Sequence, residues 1–152
     1  MNSPVDRYVQ YLEKSRKDLL ESVKDLTQEE LHFTADGKLN SIAMLLNHLS
    51  TAEQFLVHHI VGGDEISLER ADDFTYHDDT LQDIKTRLHE TRERTLQILS
   101  DLADDKLLDA KEVRLSSGSP LNVTNEWGIL HNLEHEASHK GQITVLKRLV
   151  RS

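Results

Sequence analysis

Two histidines four residues apart, His135 and His139, define the chemistry this sequence is equipped for. In an α-helix that spacing places both imidazoles on one side, where they can aim at a single cation. His48, in a separate helical stretch, can supply a third nitrogen. Three nitrogens from two helices leave a coordination position open, as catalytic metal sites do; structural zinc sites are closed by four protein ligands, usually with cysteine among them. The chain has no cysteine. The competing reading is that His135 and His139 are exposed or hydrogen-bonded helix residues of the kind many H-x-x-x-H sequences contain.

The wheel favours the first reading. Gly128, Asn132, His135, His139, Ile143, Leu146 and Val150 fall within a sector roughly 80° wide, the sector expected to face a helical interior. Histidines interrupting an apolar stripe need hydrogen-bond partners or a metal, because burying an unpaired polar group costs a few kcal/mol. His131 lies roughly 80° from His139 on the same wheel and is expected outside the cluster or at the surface. On its own helix His48 flanks the stripe Ile42, Leu45, Leu49, Ala52, Leu56 and Ile60. His59 shares its azimuth but lies about 16 Å further along the axis, too far to be a ligand. His32, His77 and His89 sit in polar contexts.

The elements that must hold these residues are readable from periodicity and caps. Ser3-Pro4 opens a first helix through Val5, Tyr8, Leu12, Leu19 and Val23 to about Asp25. Thr27 to Asn40 reads as a short helical turn and loop. Asn40 or Ser41 caps a second helix that runs to Val61 and stops at Gly62-Gly63. Asp79 or Thr80 caps a third, with Ile84, Leu88, Thr91, Thr95 and Ile98 inward, ending near Leu102. Ala103 to Val123 has no long helix: Val113 to Leu115 has weak strand character and Ser116 to Pro120 is turn chemistry, in a connection long enough to serve as a lid. Thr124 or Asn125 opens the last helix. Four long amphipathic helices, with no linker or repeat, imply an all-α four-helix bundle in one domain over residues 1–152.

Other chemistries are weakly supplied. Glu53, Glu134 and Glu136 can be considered as general bases or as acceptors for a ligand imidazole. The wheel turns all three away from the histidine sector, so they are expected to be solvated. There is no G-x-S-x-G and no Gly-rich phosphate loop. Trp127 is expected as a core anchor.

At 152 residues the chain can bury a core without a structural metal, so a metal would be functional. A net charge of −9, with no run of Lys and Arg, opposes nucleic-acid binding. No apolar stretch approaches the ~20 residues of a membrane span, and the start does not read as a secretory signal, so a cytoplasmic location is the expectation.

Leu45-Leu46-Asn47-His48-Leu49, with Ala52-Glu53 downstream, and His135-Glu136-Ala137-Ser138-His139-Lys140-Gly141-Gln142-Ile143 resemble the DinB superfamily over nearly the whole chain. The resemblance implies a bacterial four-helix bundle of down-up-up-down topology, often a homodimer. It implies a divalent metal ion held by His48, His135 and His139. Relatives of this kind include thiol S-transferases and small-molecule hydrolases, which suggests a small-molecule substrate and a low-molecular-weight thiol as co-substrate, with the cation activating water or the thiol. Imidazoles suit Zn, Ni, Cu and Fe alike, with Zn, Ni or Fe the expected occupants. Gln142, about one turn beyond His139, is placed to orient a bound ligand, or else packs the helix. The alternative is a bundle that binds a metal or small molecule without catalysis, as a sensor or store.

Overall fold

In the computed structural model, which describes residues 3–37, 40–66, 78–115 and 117–152, each long helix begins where a hydroxyl satisfies an otherwise orphaned backbone amide. Ser3 caps α1 (Pro4–Val23), with Asp6 returning a bond to the Ser3 amide. Thr27 caps the single turn α2 (Gln28–Leu31), and Ser41 caps α3 (Ile42–Glu53). Thr80 caps α4 (Leu81–Asp101) through a further reciprocal box with Asp83, and Thr124 caps α5 (Asn125–Val150). Of the paired alternatives read from sequence, Ser41, Thr80 and Thr124 are the residues used.

The second helix of the sequence reading continues past α3 with a change of pitch. Gln54–His59 is a π-helical turn. The amides of Ile60 and Gly62 reach carbonyls five residues back, on Phe55 and Val57. Such turns are uncommon and cluster at functional sites. α5 crosses this widened backbone closely: a Cβ on Gly128 would stand 2.5 Å from the Leu56 carbonyl oxygen. Glycine is required there by the approach itself.

Between α4 and α5 the chain forms a 3₁₀ turn (Asp104–Lys106) and an antiparallel hairpin, β1 (Ala110–Arg114) and β2 (Pro120–Thr124), with Val113 opposite Leu121. Gly118 makes the turn at φ 85°; Ser116 lies outside the described residues. The sequence signals only one weak strand here, because two five-residue strands carry little alternation. Val113, Val123 and Leu107 are buried among Val5, Leu56, Ile60 and Ile129. This connection is thus anchored into the core and not a bare loop.

The result is the all-α four-helix bundle the periodicity implies, with the hairpin added at one end. Its apolar interior has two parts. Leu19, Ile42, Leu45, Leu49, Leu88 and Ile143 belong to one cluster, and Leu12, Leu56, Ile60, Ile98 and Ile129 to the other. On every long helix a buried polar residue stands between the two: Arg16 on α1, Glu53 on α3, Arg92 and Thr95 on α4, Asn132 and Glu136 on α5.

Candidate metal centre

α3 and α5 pack against each other, and the histidines meet on that seam. His48 comes from the middle of α3; His135 and His139 come from successive turns of α5. All three are half-buried, and one nitrogen from each lies within 4.8 Å of the others. The imidazoles stand edge to face, with centroids 4.9 Å apart for His48 and His135, 5.4 Å for His48 and His139, and 4.3 Å for His135 and His139. His135 Nε2 and His139 Nε2 are 2.9 Å apart.

This donor set fits a divalent cation. Nitrogen ligands at 2.0–2.1 Å in a tetrahedral site would be separated by ~3.4 Å, so side-chain adjustments on the order of 1 Å would bring the group to that spacing. Three imidazoles, neutral when they coordinate, leave one position for an exogenous ligand. His139 has a second bond, from Nδ1 to Gln142 Oε1 at 2.7 Å. An amide oxygen only accepts, so Nδ1 of His139 carries the proton and Nε2 presents its lone pair toward His135.

The carboxylates depart from expectation. Glu134 is exposed, as the wheel suggests, but Glu53 and Glu136 are 1% and 2% exposed. Glu53 Oε1 accepts from Arg16 Nη2 at 3.2 Å, Arg92 Nη2 at 3.0 Å and Asn132 Nδ2 at 3.3 Å; Oε2 accepts from Arg92 Nε at 3.1 Å and the Thr95 hydroxyl at 2.6 Å. Glu136 Oε1 accepts from Arg16 Nε at 2.8 Å. The expectation of solvated carboxylates fails for Glu53 and Glu136 because facing away from the histidines is not the same as facing solvent. α3 contacts α4 as well as α5, so a side chain turned about 140° from His48 meets a second neighbour and not water.

Burial by itself would raise the Glu53 carboxyl; the charge and hydrogen bonds of Arg92, with Arg16 and Thr95, outweigh it and bring the pKa down to about 2. Burial opposes the charge on Arg92 too, yet Glu53 raises its pKa overall. A carboxylate held this firmly by arginines is a poor proton acceptor, which removes Glu53 from the candidate bases.

The remaining histidines have other work. His58 is buried and donates from Nε2 to the Thr91 carbonyl at 2.9 Å and the Thr95 hydroxyl at 3.1 Å. Burial, ahead of the opposing bond to Thr91, lowers its pKa. Nothing in the sequence singles out His58. His59 Nδ1 bonds the Asp64 carbonyl at 2.8 Å, consistent with its exclusion as a ligand. His131 is exposed and stacks on Trp127 with centroids 4.6 Å apart, so Trp127 anchors the second cluster on one side and a surface ring on the other. His77 lies outside the described residues. A separate cleft of about 570 Å³ runs between α1 and α4; none of the three clustered histidines lines it, and its lysines are interleaved with Glu13 and Glu21.

Residues 11–143 match the sequence profile described as the DinB superfamily. No curated protein matches the chain. Among solved structures, a conserved protein from Enterococcus faecalis superposes with a TM-score of 0.74 at 13% identity, covering 99% of this chain and 98% of that one. At that identity the likeness speaks for the fold alone.

Proposed function

The chain belongs to the DinB superfamily, and on that premise we propose that it is a metal-dependent enzyme acting on small molecules, as a thiol S-transferase or a hydrolase. The observation that carries this reading is the convergence of His48, His135 and His139 to within 4.8 Å. A bound divalent cation would supply Lewis acidity, lowering the pKa of a water or low-molecular-weight thiol in its open position. The residues here provide what that chemistry needs from the protein. The two α5 histidines approach on one face, and His48 faces them across the seam. No cysteine competes for the cation or for a thiol co-substrate. No helix among the described residues is long and apolar enough to cross a membrane, and we propose a soluble homodimer that uses Zn, Ni or Fe.

The test is elemental analysis of untagged protein purified without chelator, beside His48→Ala and His139→Ala. Near-stoichiometric metal in the wild type, lost in both variants, is the expected result, and it would direct a screen of thiol-transfer and hydrolysis substrates. Full occupancy in His139→Ala would overturn the assignment. Stoichiometric metal without turnover across that screen would favour a sensor or store.

A further inference from the structure

We infer that Gln142 is a positioning residue for the metal centre, selecting the tautomer of His139 that can ligate; this rests on the metal-binding reading above. Gln142 follows His139 by three residues on α5, so helix geometry holds the two side chains side by side. Its amide oxygen lies 2.7 Å from His139 Nδ1, and the opposite ring nitrogen, Nε2, is the one 2.9 Å from His135 Nε2.

A neutral imidazole carries one proton, and the hydrogen bond made by one nitrogen decides what the other offers. With an acceptor at Nδ1, the proton stays there and Nε2 presents a lone pair to the cluster. With a donor there, or with nothing, the proton is free to occupy Nε2, where it would point into the centre and oppose a cation. Gln142 thus acts on the site without entering it. Its exposure makes the contact informative: an exposed glutamine at a helical position has no core to fill, and its replacement should leave the fold intact.

The experiment compares wild type with Gln142→Met, which keeps length and removes the acceptor, and Gln142→Glu, which keeps an acceptor and strengthens it. Zn(II) affinity is measured by competition with a chromogenic chelator. The His139 tautomer is read in metal-free protein from ¹⁵N–¹H correlations at about pH 8, where imidazoles are neutral. Loss of an outer hydrogen-bond partner typically weakens metal binding on the order of 10- to 100-fold. That loss is expected in Gln142→Met, together with a shift of the proton toward Nε2. Gln142→Glu should match or exceed the wild type. Metal-free Tm should stay within about 2 °C across the three, because surface changes move stability little. Unchanged affinity or an unchanged tautomer in Gln142→Met would overturn the inference, as would equal weakening in both variants. If the wild type takes up no Zn(II), the metal reading fails, and the tautomer measurement still decides the role of Gln142.

Discussion

Glu53 and Arg92 form a two-pronged pair in the centre of the bundle, with Oε2 3.1 Å from Nε and Oε1 3.0 Å from Nη2, both side chains almost fully buried. Paired and hydrogen-bonded, the two charges are tolerated; separated, each would be a stranded ion in a low-dielectric interior. Glu53→Ala should therefore destabilise the protein by about 3–5 kcal/mol, the range for breaking a buried pair by removing one partner. Arg92→Met should be comparably harmful. Chemical denaturation of both variants measures this, and a loss below about 1 kcal/mol would mean that the pair is solvated in solution.

The same pair sets a dependence on pH. Glu53 is depressed to about 2 in the folded protein, below the ~4.3 of an unfolded chain. Its stabilisation is complete above that unfolded value and is lost as pH falls toward 2. His58 is also depressed, so the unfolded chain takes up its proton first, and stability begins to fall below about pH 6.5. Denaturant midpoints of metal-free protein at about pH 7, 5 and 3 should decline in that order. Glu53→Gln should flatten the lower part of the curve and His58→Gln the upper part; an unchanged slope in either variant would contradict the assignment.

Two glycines on α5 should respond oppositely to alanine. At Gly128 a Cβ would meet the Leu56 carbonyl at 2.5 Å, a backbone atom that cannot yield without shifting the π-helical turn. Gly128→Ala should cost about 1–3 kcal/mol, as overpacking does, despite alanine's better helix propensity. At Gly141 no atom lies within 4 Å of the added carbon. Gly141→Ala should stabilise by up to about 1 kcal/mol. Thermal unfolding of the pair would expose a misplaced α5 if the signs were the same.

A cation that binds only the folded protein must raise its stability. At 100-fold excess over Kd the gain is about 2.7 kcal/mol, or roughly 5–10 °C in Tm for a domain of this size. Chelator should reverse the shift, and His48→Ala should abolish it. A shift that persists in His48→Ala would place the ion elsewhere.

What could be read from sequence divides along physical lines. The long helices follow from apolar periodicity and from hydroxyl caps within a few residues of each start. The histidine pair is legible because both members sit on one helix, where spacing fixes direction. His48 needed a second helix, and its placement came from resemblance joined to the wheel. The buried charges were misread because their partners are distant: Arg16 lies 37 residues from Glu53 and 120 from Glu136. A wheel drawn for one helix cannot show a guanidinium arriving from another, so a charged residue defaults to solvent. The change of pitch at Gln54–His59 leaves no local mark either, since Leu56 and Ile60 still look like continuations of an ordinary stripe.

The layer of Arg16, Glu53, Arg92 and Glu136 also acts as a ruler. Leucines are interchangeable along a helix, and a bundle held by them alone could slip by a turn, ~5.4 Å, at little cost. A slip of α5 here would carry Glu136 away from Arg16 and leave its carboxylate facing Leu19 or Leu12 of α1. The charges permit one vertical alignment of α5 against α3, and that alignment is the one that brings His135 and His139 level with His48.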